Sequence, residues 1–253
     1  MAAVPYNRLT WNTHMDRTMN KTTWRWIRIR FPRLHVLYLQ EVARPDNARK
    51  VLGKGWTLAP VGAVKTGEAM KPTTYLAYRH KRFRDVKVDT IDTTYGSKWG
   101  RRVVHMTGWD KRSRRPVSEV SVHVDPLGKG FYDANPVARD RHMRQIATAA
   151  TVASLAATTP DVVAAVGGDM NERLWDARPG HPLTIKSAVS QFTNAGYTPA
   201  FRITGQRVNL DDIFIRKASY IRNVRRIQLR PPFAGFDHDV VWVGVKVRKA
   251  PKR

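Results

Sequence analysis

Short apolar runs bounded by turn residues recur along this chain: "HVLYLQEV", "TTYLAYR", "RRVVHMTGW", "VSEVSVHV", "DVVAAVGG", "NLDDIFIR" and "HDVVWVGVKV". They are rich in Val, Ile and aromatics, which pack well on a pleated surface, and each has the length of a strand. Between the third and fourth lies "DKRSRRP", a short polar connection that reads as a basic hairpin loop. Helical segments are fewer. Val137 to Leu155 is Ala-rich and follows Asn135-Pro136, a helix-start signal. Asp16 to Phe31 is ambiguous, because "WRWIRIRF" partly alternates with the period of a strand. It is read as a helix, since it must connect two strand runs that look parallel. Two sets of strands with helices segregated around them predict an α/β (α+β) sandwich of two sheets with helices outside.

The length of 253 residues and the 42% hydrophobic content suffice for a sizeable core. No repeat or low-complexity linker divides the sequence, so one domain over 1–253 is expected, with a short basic tail over 246–253. The charge is lopsided: 45 Lys plus Arg against 20 Asp plus Glu give +25, far beyond what solubility needs. With 8 Trp beside that excess, nucleic acid is the expected partner, because neutralising phosphates releases counterions. The 0 Cys exclude disulfides and thiolate zinc sites, so any metal must be held by oxygen or imidazole. The opening "MAAVPYNRLTWNTHMDRT" carries polar and charged groups where a signal peptide needs an apolar core, and no window approaches a membrane span. The chain is therefore expected to be intracellular.

Polar groups stand directly at the ends of several apolar runs, where a rigid fold can hold a catalytic constellation. They are Asn12 in "LTWNTH", Glu41 in "LYLQEV", His123 in "VSVHVDP", Asp169 with Asn171 in "GGDMN", Asp211 in "NLDDIFI", and Asp237 with His238 in "GFDHDVV". Any one of them alone reads more naturally as a cap or a hydrogen-bonded core group. Together they supply the parts of phosphodiester hydrolysis: carboxylates for a cation and a base, amides and imidazoles for the developing charge. Mg²⁺ needs only one or two protein carboxylates beside substrate oxygen and water, so no dedicated cage is required.

The ordered series "TWN", "LQEV", "VHVDP", "GGDMN", "LDDIFI" and "FDHDVV" resembles the endonuclease/exonuclease/phosphatase superfamily, the DNase I-like fold, from Asn12 to Val241. The resemblance implies a four-layer α/β/β/α sandwich. It places Asn12 and Glu41 at a metal site, with Glu41 the principal ligand and Asp237 metal-proximal. Asp169 then positions or activates the attacking water, Asn171 contacts the phosphate, and His238 acts as acid-base or phosphate-stabilising group. His123 is similar to the imidazole that contacts the scissile phosphate in the DNase I, toxin, sphingomyelinase and inositol phosphatase branches. Gly167 and Gly168 would let the backbone turn tightly at the strand end. Where the family reads I-D-Y-I this chain has Leu210-Asp211-Asp212-Ile213. Asp211 is the expected partner that orients His238, with Asp212 as the exposed alternative. The family's Glu supporting the strand His has no clear match, since Lys71-Pro72 fills that neighbourhood and Glu68 is the substitute.

Cations in "GSKWGRR" and the hairpin are expected beside the active face. Arg101 or Arg102 is a candidate phosphate clamp, Trp99 a base wedge, and Lys111, Arg112, Arg114 and Arg115 further DNA contacts. "GAVKTG" fails as a P-loop because Glu68 stands where Lys is needed, and neither metalloprotease nor serine-hydrolase motifs occur. The expected function is a Mg²⁺-dependent nuclease, with Mn²⁺ as the alternative metal, cutting DNA internally with weak sequence selectivity. DNA is expected over RNA, on a monomer, with an inhibitor or recruiting protein as a further partner. The alternatives are a phosphoinositide or sphingolipid phosphatase of the same superfamily, and a non-catalytic binder of DNA or protein.

Overall fold

Strands form over the apolar runs, and charged stretches between them add others. The computed structural model describes residues 2–60, 73–95, 101–127, 134–171, 187–204, 210–216, 218–233 and 238–251, with 73 and 157 by backbone alone. In chain order the elements are β1 (Ala3–Asn12), α1 (Lys21–Arg30), β2 (Val36–Val42), α2 (Pro45–Leu52), β3 (Trp56–Ala59), β4 (Thr73–Arg79), β5 (Phe83–Asp92) and β6 (Arg102–Asp110). There follow β7 (Arg115–His123), α3 (Pro136–Ala157), β8 (Val163–Asp169), α4 (Ala188–Asn194), β9 (Tyr197–Pro199), α5 (Ala200–Thr204), β10 (Asp211–Arg216), β11 (Ile221–Leu229) and β12 (Val240–Arg248). Two mixed 6-stranded sheets result, ordered β11-β12-β1-β2-β4-β3 and β5-β6-β7-β8-β10-β9.

Connections follow from pairing. β1 and β2 are parallel, as are β7 and β8, so each pair needs a crossover, supplied by α1 and α3. Tyr6, Tyr38, Met106, Ile213 and Val243 fill the space between the sheets. Trp24 and Ile27 of α1 pack with Trp11, Leu37 and Leu39 outside the first sheet. Ile146, Ala149 and Ala153 of α3 pack with Val120 and Val166 outside the second. The result is helix, sheet, sheet, helix. Among the described residues no helix is long and apolar enough to cross a membrane.

Helix α1 begins later than residue 16. His14, Met15 and Asp16 have φ of 47°, 53° and 67°, and the Asp16 carboxylate accepts from Ala43 N and Arg44 N, so this stretch is a turn. Asn20 then caps the helix by accepting from Thr23 N at 2.9 Å. The tail expected over 246–253 is likewise shorter. Lys246 to Arg248 belong to β12 and pair with β1, because Val245 and Val247 alternate into the core and send the cations to the other face.

A fully buried ion pair ties the sheets together. Arg8 of β1 donates Nε to Glu119 of β7 at 2.9 and 3.1 Å and Nη2 at 2.9 Å, both side chains being 0% exposed. The Tyr38 hydroxyl donates to the same carboxylate, and the Tyr6 ring lies 4.4 Å under the guanidinium.

In the middle of β1, Asn7 N donates to His35 Nδ1 at 2.9 Å. Burial, with Arg82 second, pushes its pKa down to about 2. The sign is definite: a folded-state pKa below the unfolded value of 6.5 leaves full stability above 6.5 and removes it as pH falls. Between pH 6.5 and 5 this group should cost stability at up to roughly 1.4 kcal/mol per pH unit. Urea unfolding of the chain and of His35→Gln, compared across that window, checks it: the variant's profile should be flatter.

Candidate active site

Strand register builds the site. Asp169, the last residue of β8, lies beside His123 at the end of parallel β7 and opposite Asp211 at the start of antiparallel β10. One row across the end of the second sheet therefore carries an imidazole and two carboxylates. In the first sheet Asn12 ends β1, and Glu41 follows Gln40, its partner on β2. The β2–β4 register shifts between Leu39 and Val42, and Glu41 has φ 56°, so an irregularity turns its carboxylate towards the row.

Asn12 bridges the two sheets. Its Nδ2 lies 3.1 Å from Asp169 Oδ2 and 3.3 Å from Glu41 Oε1, while its Oδ1 accepts from His14 N at 2.9 Å. Asp169 is 0% exposed, and its Oδ1 accepts from Asn171 N at 2.8 Å. Asn171, at φ 46°, donates Nδ2 to Val124 O at 2.8 Å, which fixes its amide beside the site. His238 sits just ahead of β12. Its Nδ1 is 2.9 Å from Asp211 Oδ2 and 3.6 Å from Asp169 Oδ2. A carboxylate beside it makes Nδ1 the protonated nitrogen in the neutral ring. Burial first, then the neighbouring Asp169, raises the Asp211 pKa, while the His238 contact opposes the rise.

His123 is held from the opposite side. Arg101 Nη1 lies 2.9 Å from its Nδ1, and Arg101 Nε donates to Asp125 Oδ1 at 2.8 Å. A guanidinium can only donate, so Nδ1 accepts and the ring proton sits on Nε2. Among the described residues that nitrogen makes no hydrogen bond, lying 3.6 Å from Asp169 Oδ2 and 3.9 Å from Glu41 Oε1. Burial, with Arg101 second, holds the His123 pKa well below the ordinary value, so the ring is a neutral donor. Glu68, the substitute supporting carboxylate, lies outside the described residues, as do Asp237 and Trp99.

The glycines before Asp169 do something other than turn the chain. β8 runs straight through them. A Cβ on Gly167 would lie 2.2 Å from the Tyr38 ring, and one on Gly168, at φ +155°, 1.9 Å from Val122 O. They let a tyrosine of the facing sheet and the β7 backbone approach closely, which sets Asp169 against His123. Gly168→Ala should therefore cost about 3 kcal/mol or more, since a backbone carbonyl cannot yield as a side chain can. The urea midpoint measures this.

Several expected nucleic-acid contacts are placed elsewhere. Arg101 and Arg102 are 5% and 6% exposed. The first is committed to His123 and Asp125. The second donates Nε to Thr74 O at 2.8 Å and stacks 4.4 Å from the Tyr75 ring, so neither is an open phosphate clamp. The hairpin residues Lys111, Arg112 and Arg114 join β6 to β7 at the end opposite His123. The nine residues of β7 span eight steps of ~3.3 Å, which puts the hairpin about 26 Å from the site. Arg115 is buried there too, over the Tyr220 ring at 4.1 Å and paired with Asp161 at 3.1 Å. Nor is Asp212 exposed: at 0% it pairs with Arg226 Nε at 2.8 Å on the face of β10 away from His238. Sequence reading missed Asp125, whose signal was its place two residues after His123 in the same motif.

No protein-family model matches the chain, and no curated protein matches it in sequence. Solved structures do match in shape. An endonuclease/exonuclease/phosphatase from Bacteroides vulgatus aligns at TM-score 0.68 and 14% identity, covering 97% of this chain and 100% of that one. The human Nocturnin catalytic domain with bound sulfate aligns at 0.65 and 17%, covering 96% of each. D. rerio TDP2 complexed with single strand DNA product aligns at 0.62 and 12%, covering 95% and 98%. Alongside the paired sheets and their flanking helices, these likenesses show that the chain has the DNase I-like fold of the endonuclease/exonuclease/phosphatase superfamily.

Proposed function

We propose that the chain is a divalent-metal-dependent phosphodiesterase that cuts DNA internally with weak sequence selectivity. The observation that carries this reading is the convergence of Glu41, Asp169 and Asp211 with His123 and His238 at one end of both sheets, in a chain of net charge +25. Carboxylates gathered this way repel a phosphate unless a cation lies between. The donor set fits such an ion, because Asp211 Oδ1 is buried without a hydrogen-bond partner among the described residues, and Asp169, Asp211 and His238 offer ligand atoms within 4.8 Å of one another. Glu41, the carboxylate beside Asn12, would hold Mg²⁺ or Mn²⁺ at the edge of this cluster, which leaves Asp169 to act on water, since hard cations prefer oxygen and His238 is tied to Asp211. Bound there, the ion would neutralise the scissile phosphate and orient it.

The chain's own groups do the rest. Asp169 accepts a proton from the attacking water, and Asn171 holds the loop behind it. His123 donates Nε2–H to a phosphate oxygen. His238, fixed by Asp211 through Nδ1–H, acts in its imidazolium form: it gives the Nε2 proton to the departing sugar oxygen as the P–O bond breaks and is left as the neutral ring. DNA is favoured by the charge, which suits a polyanion, and by the likeness to TDP2 seen with a DNA strand.

Incubating the chain with supercoiled plasmid, structured RNA and a soluble phosphoinositide, each with Mg²⁺, Mn²⁺ or EDTA, tests the reading. Nicking of plasmid with either metal and none in EDTA is expected. Phosphate release from the phosphoinositide with plasmid left intact would transfer the site to lipid work. Binding of plasmid without cutting would make the chain a non-catalytic binder.

A further inference from the structure

One of the displaced hairpin cations, Arg114, lines a cleft of about 730 Å³ at the end of the sandwich opposite the candidate active site. That volume is typical of a ligand site. Its floor is a cross-strand row on the second sheet: Arg84 pairs with Trp109, and Trp109 with Pro116. Arg114, Pro160 and Pro251 close its sides. The Arg84 guanidinium lies over the Trp109 ring at 5.5 Å and 3.5 Å from the exposed Asp85 carboxylate, so an entering base would displace a solvated side chain from the indole. Arg114 Nη1 is shielded from solvent and has no hydrogen-bond partner among the described residues, so the guanidinium has unused donor capacity beside the cleft. The one carboxylate on the lining, Asp161, is engaged by Arg115 at 3.1 Å, so the cleft's balance is cationic.

We propose that this cleft is a second, non-catalytic nucleic-acid site, which takes a base of a single strand against the Trp109 indole and the flanking phosphates on Arg84 and Arg114. An aromatic face beside cations is how proteins hold unpaired bases without reading their sequence. A duplex would not fill it, because its bases present edges rather than faces. A bilayer would not either, because the lining is concave and offers no projecting aliphatic side chain. Set about 26 Å from the catalytic end, the cleft would anchor one stretch of a strand while another lies at the site.

The test is fluorescence anisotropy of a labelled oligothymidylate with the intact chain in EDTA at about 0.15 M salt, where cleavage is off and diffuse attraction is screened. Trp109→Ala and Arg114→Glu should each weaken binding about tenfold or more, while Trp109→Phe, which keeps a stacking ring, stays within about threefold. Arg84→Glu, at a side chain 59% exposed, keeps the test readable should Trp109→Ala fail to fold. Hydrolysis of bis(4-nitrophenyl) phosphate with metal should be equal in all of them. The inference is overturned if Arg84→Glu and Arg114→Glu bind within about twofold of the parent chain. It is also overturned if the same variants lose anionic-vesicle binding and keep the oligonucleotide. A parent chain that binds through this cleft but hydrolyses nothing would contradict the proposed catalysis and leave the second site standing.

Discussion

Asp169→Ala should lower metal-dependent cleavage of DNA roughly a thousandfold or more, the largest effect expected of any single substitution in the chain. Three features concentrate the loss at this residue. It is the middle member of the row formed by His123, Asp169 and Asp211. Its Oδ2 is the common neighbour of Asn12, His123 and His238, at 3.1, 3.6 and 3.6 Å. Its Oδ1 anchors Asn171 through the backbone. Asp169→Asn, which keeps shape and most hydrogen bonds, should lose nearly as much activity while its urea midpoint stays close to that of the parent chain. His238→Ala should cost about a hundredfold to a thousandfold, and Asp211→Asn should add little in the His238→Ala background, because groups that act as one unit are not additive. Independent losses in the double variant would mean that Asp211 does not work through His238.

Glu119→Ala should be the most destabilising change distant from the site, by about 3–5 kcal/mol. It strands the Arg8 guanidinium, 0% exposed, between two sheets with no countercharge. Against a typical total of about 5–15 kcal/mol, that is enough to lower the thermal midpoint by ~10 °C or to prevent folding. The pair itself need not be worth so much, since taking two charges out of water offsets most of their attraction. Arg8→Met with Glu119→Leu should therefore regain most of the stability lost by Glu119→Ala. Tyr38→Phe, which removes one hydroxyl donor to the carboxylate, should cost about 1–2 kcal/mol. Urea unfolding of the four proteins tests the set. A double variant no better than Glu119→Ala would contradict this account of the pair.

The buried strands were legible because their apolar residues run without interruption: "DVVAAVGG" becomes β8, whose residues are all buried. The edge strands were not. β5 reads "FRDVKVDTID" and lies at the edge of its sheet with most side chains in water, and β11, "IRNVRRIQL", does the same in the other sheet. An edge strand needs charge to resist pairing with other chains, and that charge hides its strand pattern. The site residues were legible as a series at strand ends, but their contacts required the register. Nothing in "GRR" says that Arg101 turns inward to His123, or that Arg102 lies under Tyr75. The hairpin "KRSRR" shows why chain order misleads: it precedes the strand that carries His123, and a strand delivers its two ends to opposite sides of the molecule. Gly167 and Gly168 were legible as a constraint, though the partner that imposes it, Tyr38 on the facing sheet, emerges only from packing.

The most direct test of the central claim is a single-turnover rate for cutting a labelled DNA duplex, titrated with Mg²⁺ and Mn²⁺ from an EDTA-stripped start, for the parent chain and Asp169→Asn side by side. The account predicts a rate that rises from zero to saturation with either metal in the parent chain and stays near zero in the variant. Equal cutting in EDTA, or metal-dependent cutting by Asp169→Asn at the parent rate, would contradict it.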